Sequence, residues 1–372
     1  MPLSDYVAGL PLVDHHVHGV AKGPLDRAGF EQLITESDRP VPAWTSTFDS
    51  QLGFAIRQHC APLLGLEQHA SADDYLAARA QHDEVSLSRL FLGAAGVSDY
   101  LVDTGYLGDA VTGVDELARL SGARTHEVVR LESELEYVAS HESTVSAVPN
   151  ALAQRLESRT ADAVGLKSIV AYRHGFDFHP TEPTDAEVLA ALDRWYADGP
   201  VRVSDPVLLR WLLWIGARRG LPLQLHVGFG DTDLDLHKTT PLLLTEWLRL
   251  VEPLGTQVVL LHCYPFHREA GYLAHAFPHV SFDLGLTTMY VGARAAAVLA
   301  EGLELAQFAK LLYSSDAWGP PELHFLGAAL WRRAVTSVLG AFVDQGDWSA
   351  EDAVRVASLW GRDNARRLYQ LD

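Results

Sequence analysis

The sequence is poor in cysteine and in basic residues. Its 372 residues include only two cysteines, Cys60 and Cys263, and their wide separation fits neither a zinc site nor a redox motif. Two thiols in a chain of this length are typical of a cytosolic protein, where disulfides are rare. Lys and Arg total 29 against 48 Asp and Glu, which gives a net charge of −19. Because phosphate recognition depends on basic side chains, this charge argues against a nucleic acid or an anionic membrane as partner.

Long hydrophobic runs and targeting signals are also missing. The longest apolar stretches, such as Val258–Leu261, fall far short of the ~20 residues that cross a bilayer. The opening segment MPLSDYVAGLPLVDHH has neither the basic start nor the apolar core of a signal peptide. No internal repeat, low-complexity tract or long Gly/Ser linker interrupts the chain. The sequence therefore predicts a cytoplasmic protein that forms a single domain over residues 1–372.

Short apolar runs alternate with longer amphipathic ones, most clearly in the second half of the chain. Continuous apolar strands are typical of a parallel sheet that is covered on both faces. The pattern predicts eight strands, with Tyr100–Gly105 as a loop and with strands beginning at Leu12, Phe91, Val128, Val164, Pro222, Gln257, Val280 and Leu311. Eight parallel strands with helical crossovers indicate an α/β fold of the (β/α)8 TIM-barrel type. Residues 20–90 would form a helical insertion after the first strand.

Histidine is abundant, with 17 copies, and two of them form a short motif. His16 and His18 end the predicted strand that begins at Leu12, and their spacing places both side chains on the same side of the pleat. Both would face the mouth of the barrel, where active sites of this fold are built. Neutral imidazole binds zinc and similar ions well. Taken alone, the motif fits a metal half-site and a pair of partly exposed histidines equally well.

Three further polar residues follow apolar strands in the same way. His226 and His262 end the predicted fifth and sixth strands, and Asp316 lies just past the eighth. A single histidine at a strand end is usually solvated or capped. Several strand ends that converge on histidine or aspartate indicate a metal site instead.

These residues resemble those of the amidohydrolase superfamily, in particular its amidohydrolase-2 branch. The matching pieces are Asp14–His18, His226, His262 and Asp316. The resemblance covers essentially the whole chain and is weakest at residues 20–125. Three further segments are similar to the nodulin-like and FluG-type amidohydrolases: Leu166–Phe176, Gly230–Leu236 and Asn364–Tyr369. Amidohydrolases of this type are often fused to a glutamine-synthetase domain.

The resemblance implies a divalent metal, most often zinc, present as one or two ions and held by His16, His18, His226 and Asp316. It also implies that Asp316 orients a water and accepts its proton. His262 would bind a second metal or donate to the developing oxyanion. General chemistry agrees, because bound Zn²⁺ lowers the pKa of water to about 7 and a nearby carboxylate can carry the proton. A positioned imidazole can stabilise the oxyanion.

The role of Lys167 stays open between three alternatives. In some branches of the superfamily the lysine of the fourth strand is carboxylated and bridges two metals. In others it is absent or binds the substrate. The third alternative is a lysine that extends from the strand to solvent. We expect a mononuclear site, which a count of bound metal tests.

Two arginines and an aromatic residue near strand ends are candidates for substrate binding. Arg130 ends the third strand, and Tyr172 and Arg173 follow the fourth. The planar guanidinium group can clamp a substrate carboxylate. For Arg130, a structural salt bridge with Glu132 is the alternative, and an aromatic residue such as Tyr172 is often simply part of the core. Asp14 faces the same way as the histidine pair and either braces a ligand or begins the turn.

The predicted function is metal-dependent hydrolysis of an amide or related C–N bond in a small polar molecule. A non-oxidative decarboxylase or another C–C lyase on the same metal site is the first alternative, and release of CO₂ instead of an amine would reveal it. The second alternative is a barrel without catalysis that serves as a binding protein. A homo-oligomer in which the insertion forms the interface is compatible with the sequence, and the substrate is not identified by it.

Overall fold

The computed structural model describes residues 1–372, and its centre is an eight-stranded parallel sheet. Each strand pairs with its neighbours in the chain, in the order β1 to β8. The strands are β1 Leu12–Val17, β2 Val97–Asp103, β3 Arg124–Arg130, β4 Gly165–Ser168, β5 Leu223–Val227, β6 Val258–His262, β7 Val280–Asp283 and β8 Leu311–Leu312. Most of their residues are buried, as expected for strands that helices cover.

Backbone hydrogen bonds join the two edges of this sheet. The amide of His15 donates to the carbonyl of Tyr313 at 3.2 Å, and the amide of His18 donates to that of Ala317 at 2.9 Å. Between them, the amide of Asp316 donates to the carbonyl of His16 at 3.0 Å. The first strand therefore lies beside the segment that follows the eighth, and the (β/α)8 barrel predicted from the sequence is confirmed.

Helices surround the barrel and also form the insertion. Most crossovers use one or two of them, as a parallel sheet requires. The α-helices are α1 Leu3–Gly9, α2 Arg27–Gln32, α3 Gln51–Ala55, α4 Ala72–Arg79, α5 Glu84–Ala95, α6 Val114–Ser121, α7 Leu131–His141, α8 Val148–Arg159, α9 Val170–Arg173, α10 Asp185–Ala197, α11 Pro206–Ala217, α12 Thr245–Val251, α13 His267–Ala276, α14 Gly285–Tyr290, α15 Ala295–Gly302, α16 Pro321–Asp344, α17 Ala350–Ser358 and α18 Asn364–Tyr369.

The predicted position of the second strand is wrong. The apolar run that begins at Phe91 belongs to helix α5, whose buried Leu87, Phe91 and Ala95 recur every four residues. This helix ends at Gly96, which has a left-handed conformation with φ 61° that glycine adopts readily. Strand β2 follows at once and includes most of the segment predicted as a loop. It was missed because its sequence VSDYLVD contains three polar residues that interrupt the apolar run.

Other strand boundaries differ by a few residues. Strand β3 begins four residues earlier than predicted, at Arg124, because its first half is only partly buried and carries polar side chains. Leu131 already begins helix α7. Strand β4 begins one residue later than predicted and ends at Ser168, and Val170 begins the short helix α9, which carries Tyr172 and Arg173. Strand β8 is limited to two residues, so Asp316 lies in the loop after it.

Three hydrophobic clusters hold these layers together. The largest has 61 buried residues and lies mainly between the strands and the surrounding helices. A cluster of nine residues fills part of the barrel interior and includes Leu368 and Tyr369 from helix α18. A third cluster of 22 residues lies under the insertion and combines its Phe30 and Phe48 with Leu326 of helix α16. The insertion therefore packs directly on the barrel and its outer helices.

Helix α16 has 24 residues and is apolar enough, by length and composition alone, to cross a membrane. Half of its most apolar stretch is buried within the fold, where it packs against helices α5 and α15. The core helix of a globular protein has the same composition. The single-domain organisation, the cytoplasmic location and a homo-oligomeric state stay predictions.

Candidate active site

A cleft of about 770 Å³ opens at the carboxyl ends of the strands. This is the end at which TIM barrels place their active sites, because the loops after the strands meet there. The residues predicted for the site line it together, namely His16, His18, Arg130, Lys167, Tyr172, Arg173, His226, His262 and Asp316. Trp318 also lines the cleft. His174, which follows Arg173 in the chain, does not line it, and its Nε2 atom lies 3.5 Å from Oδ1 of Asp177.

Three histidines converge on the carboxylate of Asp316. The Nε2 atoms of His16 and His18 lie 3.1 Å and 3.4 Å from its Oδ1 atom. The Nε2 atom of His262 lies 3.3 Å from Oδ2. His16 lies in β1 and His18 directly after it, His262 ends β6 and Asp316 lies in the loop after β8, so only the closed barrel brings them together.

Hydrogen bonds on the far side of each ring orient the two histidines of β1. Nδ1 of His16 lies 2.8 Å from the side-chain oxygen of Gln224, and Nδ1 of His18 lies 3.2 Å from the carbonyl oxygen of Asp103. Both partners are acceptors, so each Nδ1 carries the proton and each Nε2 presents a lone pair to Asp316. The amide of Gln224 is itself fixed, because its nitrogen donates to the His15 carbonyl and the Tyr369 hydroxyl, both at 2.8 Å.

This arrangement fits a divalent cation. Lone pairs of imidazole nitrogens face lone pairs of a carboxylate at close range, which is repulsive until a cation lies between them. Oδ1 of Asp316 and both ring nitrogens of His262 are buried and have no hydrogen-bond partner. The candidate ligand atoms of His16, His262 and Asp316 all lie within 4.8 Å of one another. Imidazole and carboxylate together are a donor set that Zn²⁺ and similar ions prefer.

The protonation states of these residues agree with a metal site. Burial, followed by the positive charge of Lys167, lowers the pKa of His16 to about 3. Burial also lowers the pKa of His262 to about 4. Burial acts to raise the pKa of Asp316, but the three neighbouring histidines outweigh it and hold that pKa well below its usual range. At neutral pH the rings of His16 and His262 are therefore neutral and the carboxylate is charged, as metal ligation requires.

The backbone at the site has an unusual conformation that directs the side chains. His262 and Asp316 have positive φ angles of 67° and 51°, a region that few residues other than glycine adopt. Asp283 accepts from the amide of His262 at 2.7 Å, and Asp14 accepts from the amide of Ser315 at 2.9 Å. Asp14 therefore braces the residue beside Asp316, which favours its predicted supporting role.

His226 lies in the cleft but outside the close groups of candidate ligand atoms. Its ring lies in the cleft next to the ring of His262, with centroids 4.8 Å apart. Its Nε2 atom lies 3.1 Å from the carbonyl oxygen of Phe229, and its nitrogens are in neither close group of candidate ligand atoms. Its role as a metal ligand stays a prediction, whereas His262 has the closer contact with Asp316.

Lys167 does not extend to solvent, so that alternative is wrong. Its side chain is only 2% exposed, and its Nζ atom lies 3.3 Å from Nε2 of His16. Burial lowers the pKa of Lys167 to about 8. Because the ammonium group lies on the floor of the cleft beside a candidate ligand, both active-site roles proposed for it remain compatible with its position.

Arg130 and Arg173 both form ion pairs within the protein, and the partner of Arg130 is not the predicted Glu132. Arg130 is buried and pairs with Asp103 of β2 through Nε and Nη2, the latter at 2.6 Å, and not with Glu132. Glu132 instead accepts from the hydroxyl of Ser168 at 2.6 Å. Arg173 pairs with Glu136 at 3.0 Å. Both guanidinium groups still line the cleft, as does Tyr172.

Several residues of the site are absent from the sequence-based prediction. Gln224 precedes His226 by two positions in β5, so the period of two indicates the same side of the sheet. Asp103 ends β2 and was hidden by the misplaced strand. Glu36 in the insertion and Asp231 after β5 also line the cleft, and no local pattern marks residues in such loops.

Known proteins resemble this chain along nearly its whole length. Residues 136–371 match the family described as amidohydrolase, amidohydrolase-2. The fluG protein of Emericella nidulans is 30% identical over 405 aligned residues, which include 97% of this chain. The chain spans about half the length of that relative, 46%.

Solved structures share the fold. A protein of Lactobacillus casei ATCC 334, to which a metal-dependent hydrolase activity has been ascribed, is 29% identical and superposes with a TM-score of 0.88, covering 99% of this chain and 97% of its own. A uronate isomerase of Bacillus halodurans C-125 is 15% identical with a TM-score of 0.66, covering 100% of this chain and 96% of its own, and shows the barrel fold alone. The family match and the relative along nearly the whole chain show that this protein belongs to the amidohydrolase-2 branch of the amidohydrolase superfamily.

Proposed function

We propose that this protein is a metal-dependent hydrolase that cleaves an amide bond in a small polar substrate. The observation that carries the proposal is the convergence of three histidine rings on the Asp316 carboxylate, at distances of 3.1 to 3.4 Å. His16, His18 and Asp316 would hold the metal, most plainly Zn²⁺, with His226 as a further predicted ligand. When bound, the ion would polarise the scissile carbonyl and lower the pKa of a water.

The residues of the chain supply the proton transfers. Asp316 accepts a proton from the attacking water at a carboxylate oxygen and returns it to the leaving nitrogen, so that amide and water become carboxylic acid and amine, and the acid then ionises to a carboxylate. His262 stands on the opposite side of this carboxylate and stabilises the charge that develops on the carbonyl oxygen. Lys167 lies between β3 and β5 on the cleft floor and adds positive charge close to the same point.

Arg130 supports a substrate that carries a carboxylate. Its Nε and Nη2 groups are occupied by Asp103, and this pair fixes the guanidinium plane. Nη1 has no protein partner and is not among the buried unpaired atoms, so it faces the cleft and can donate to a carboxylate oxygen. A fixed arginine loses little conformational entropy on binding, which favours affinity.

The experiment is a product assay with Zn²⁺-loaded protein and a panel of small carboxylate-bearing amides. We expect release of an amine or ammonia, and loss of at least about 100-fold in kcat/KM for Asp316→Asn. Arg130→Met should raise KM for carboxylate-bearing amides more than for their methyl esters. Release of CO₂ instead of an amine would support a decarboxylase, and absence of bound metal after expression in zinc-supplemented medium would contradict the proposal.

A further inference from the structure

Two carboxylates in the cleft lack any ion-pair partner. Glu36 of the insertion accepts from the hydroxyl of Tyr290 at 3.0 Å, and Asp231 accepts from the amide of Asp233 at 2.9 Å. No Lys, Arg or His nitrogen lies within 4.0 Å of either carboxylate. Both line the cleft that also contains Asp316. They therefore add negative charge to the binding space without a cation of the protein to neutralise it.

The arginines of the cleft are engaged elsewhere. Arg202 pairs with Asp233 at 2.7 Å, and Arg130 and Arg173 pair with Asp103 and Glu136. The ion pair of Arg202 is therefore with the neighbouring Asp233 and not with Asp231. Since these arginines already have partners, the charges of Glu36 and Asp231 are available to a ligand.

Three aromatic residues, Tyr106, Tyr172 and Trp318, line the same cleft as the two carboxylates. The ring of Tyr106 lies edge-to-face with that of Trp318 at a centroid distance of 5.5 Å, and Tyr172 lies against His226 at 4.4 Å. Tyr290 does not line the cleft but holds Glu36 in place through the hydrogen bond from its hydroxyl. Aromatic faces combined with a carboxylate attract an ammonium group by cation–π and ionic contact together. Neutral or anionic groups gain neither.

The cleft is a ligand site on independent grounds. At its floor, the ring of His262 is fully buried, yet neither of its nitrogens has a hydrogen-bond partner. Glu36, Asp231 and Asp316 line the same cleft, and the hydroxyl of Thr232, next to Asp231, donates to Asp38, two residues after Glu36, at 2.7 Å. A group bound by Glu36 and Asp231 would therefore belong to the same small molecule as the amide at Asp316.

We propose that Glu36 and Asp231, in the cleft that Tyr106, Tyr172 and Trp318 also line, form a subsite for a protonated amine of the substrate. The inference rests on the proposed function for the reaction, and it narrows the substrate class to amides that carry an ammonium group. Arg130 lines the same cleft, so a substrate with both an ammonium and a carboxylate group, such as an amino-acid amide, can contact both the carboxylates and the arginine.

The test compares two probes of the same size and shape, 6-aminohexanamide and heptanamide, in which an ammonium replaces a methyl group. Binding to the Zn²⁺-loaded protein is measured by isothermal titration calorimetry, and the recovered probe is checked for turnover by NMR. We expect wild-type protein to bind 6-aminohexanamide about tenfold tighter, a preference that weakens with added salt. The preference should fall to about two- to threefold in Glu36→Gln and disappear in Glu36→Gln/Asp231→Asn.

Glu67→Gln is the matched control, because Glu67 is an exposed carboxylate of the same insertion that does not line the cleft. It should keep the wild-type preference. Equal binding of the two probes by wild-type protein would overturn the inference without any variant, and so would a full preference in the folded double variant. If the preference holds but no amide is hydrolysed, the proposed function fails alone. If both probes are hydrolysed with equal KM and bind equally, the amine subsite fails alone.

Discussion

Gln224 and His16 are joined by a hydrogen bond of 2.8 Å between the amide oxygen and Nδ1 of the ring. The same amide donates to the backbone of His15 and to the hydroxyl of Tyr369, so the C-terminal helix α18 takes part in fixing a candidate ligand on the first strand. Bonds of this kind set the tautomer and the direction of a metal-binding histidine.

Replacing Gln224 should therefore weaken metal binding. In Gln224→Leu the ring of His16 loses the acceptor that holds its proton on Nδ1, and we expect the Kd for Zn²⁺ to rise about 10- to 100-fold. Competition with a chromophoric chelator measures this. Tyr369→Phe is the control, because it removes only the hydroxyl behind Gln224 and should change the Kd severalfold at most. A Kd unchanged in Gln224→Leu would contradict the orienting role.

Lys167 provides a test of the number of metal ions. We expect one zinc ion per chain, in wild-type protein and in Lys167→Met, whose unbranched side chain fills the same buried space. Elemental analysis by mass spectrometry after gel filtration gives the ratio. Two ions per wild-type chain, with one lost in Lys167→Met, would show that the lysine bridges two metals and would exclude the mononuclear site.

The amine preference should depend on pH through Glu36. Burial, followed by the charge of Asp316, raises the pKa of Glu36 to about 7 from its ordinary value of 4.5. The other groups that face it are Asp231, Tyr290, Tyr106, Tyr172 and the indole of Trp318.

A carboxyl group with a raised pKa is neutral below that value and charged above it, whereas an alkylamine stays protonated up to about pH 10. The preference for 6-aminohexanamide over heptanamide should therefore increase between about pH 6 and pH 8 and then level off. Calorimetric titrations at several pH values measure it, and the increase should be absent in Glu36→Gln. A preference that decreases over this interval would contradict the assignment.

A buried ion pair attaches the insertion to the barrel. Arg79 of α4 contacts Glu322 of α16 at 2.6 Å, and the hydroxyl of Tyr75 donates to the same carboxylate oxygen at 3.2 Å. Removing one partner leaves a buried charge, so Arg79→Met should lower the free energy of unfolding by about 3–5 kcal/mol.

Urea denaturation followed by circular dichroism measures this change. Arg268→Met is the matched control, since its pair with Glu304 is 58% and 46% exposed, and it should cost less than about 1 kcal/mol. The double variant Arg79→Met/Glu322→Met should recover part of the loss. Equal effects of Arg79→Met and Arg268→Met would mean that the insertion is held by its hydrophobic cluster alone.

The amino-acid sequence determined the number of strands, the barrel and the residues at its mouth. These follow from local properties, because an apolar run of limited length forms a buried strand and a polar residue at its end marks the edge. The exception, β2, shows the limit of the rule. Its Asp99 and Asp103 are tolerated in a buried strand because Arg124 and Arg130 of β3 neutralise them, and that pairing is visible only in the sheet.

Tertiary structure alone decided which of these residues touch. His16, His262 and Asp316 are separated by up to 300 residues in the chain, and no pattern along it gives the distances between their atoms. The partner of Arg130, the burial of Lys167 and the position of His226 beside Phe229 follow from how strands and loops pack. Glu36 and Asp231 meet in the cleft because an insertion after β1 folds over the barrel. Side chains in loops acquire their partners only through such packing, since loops have no repeating geometry from which a contact could be derived.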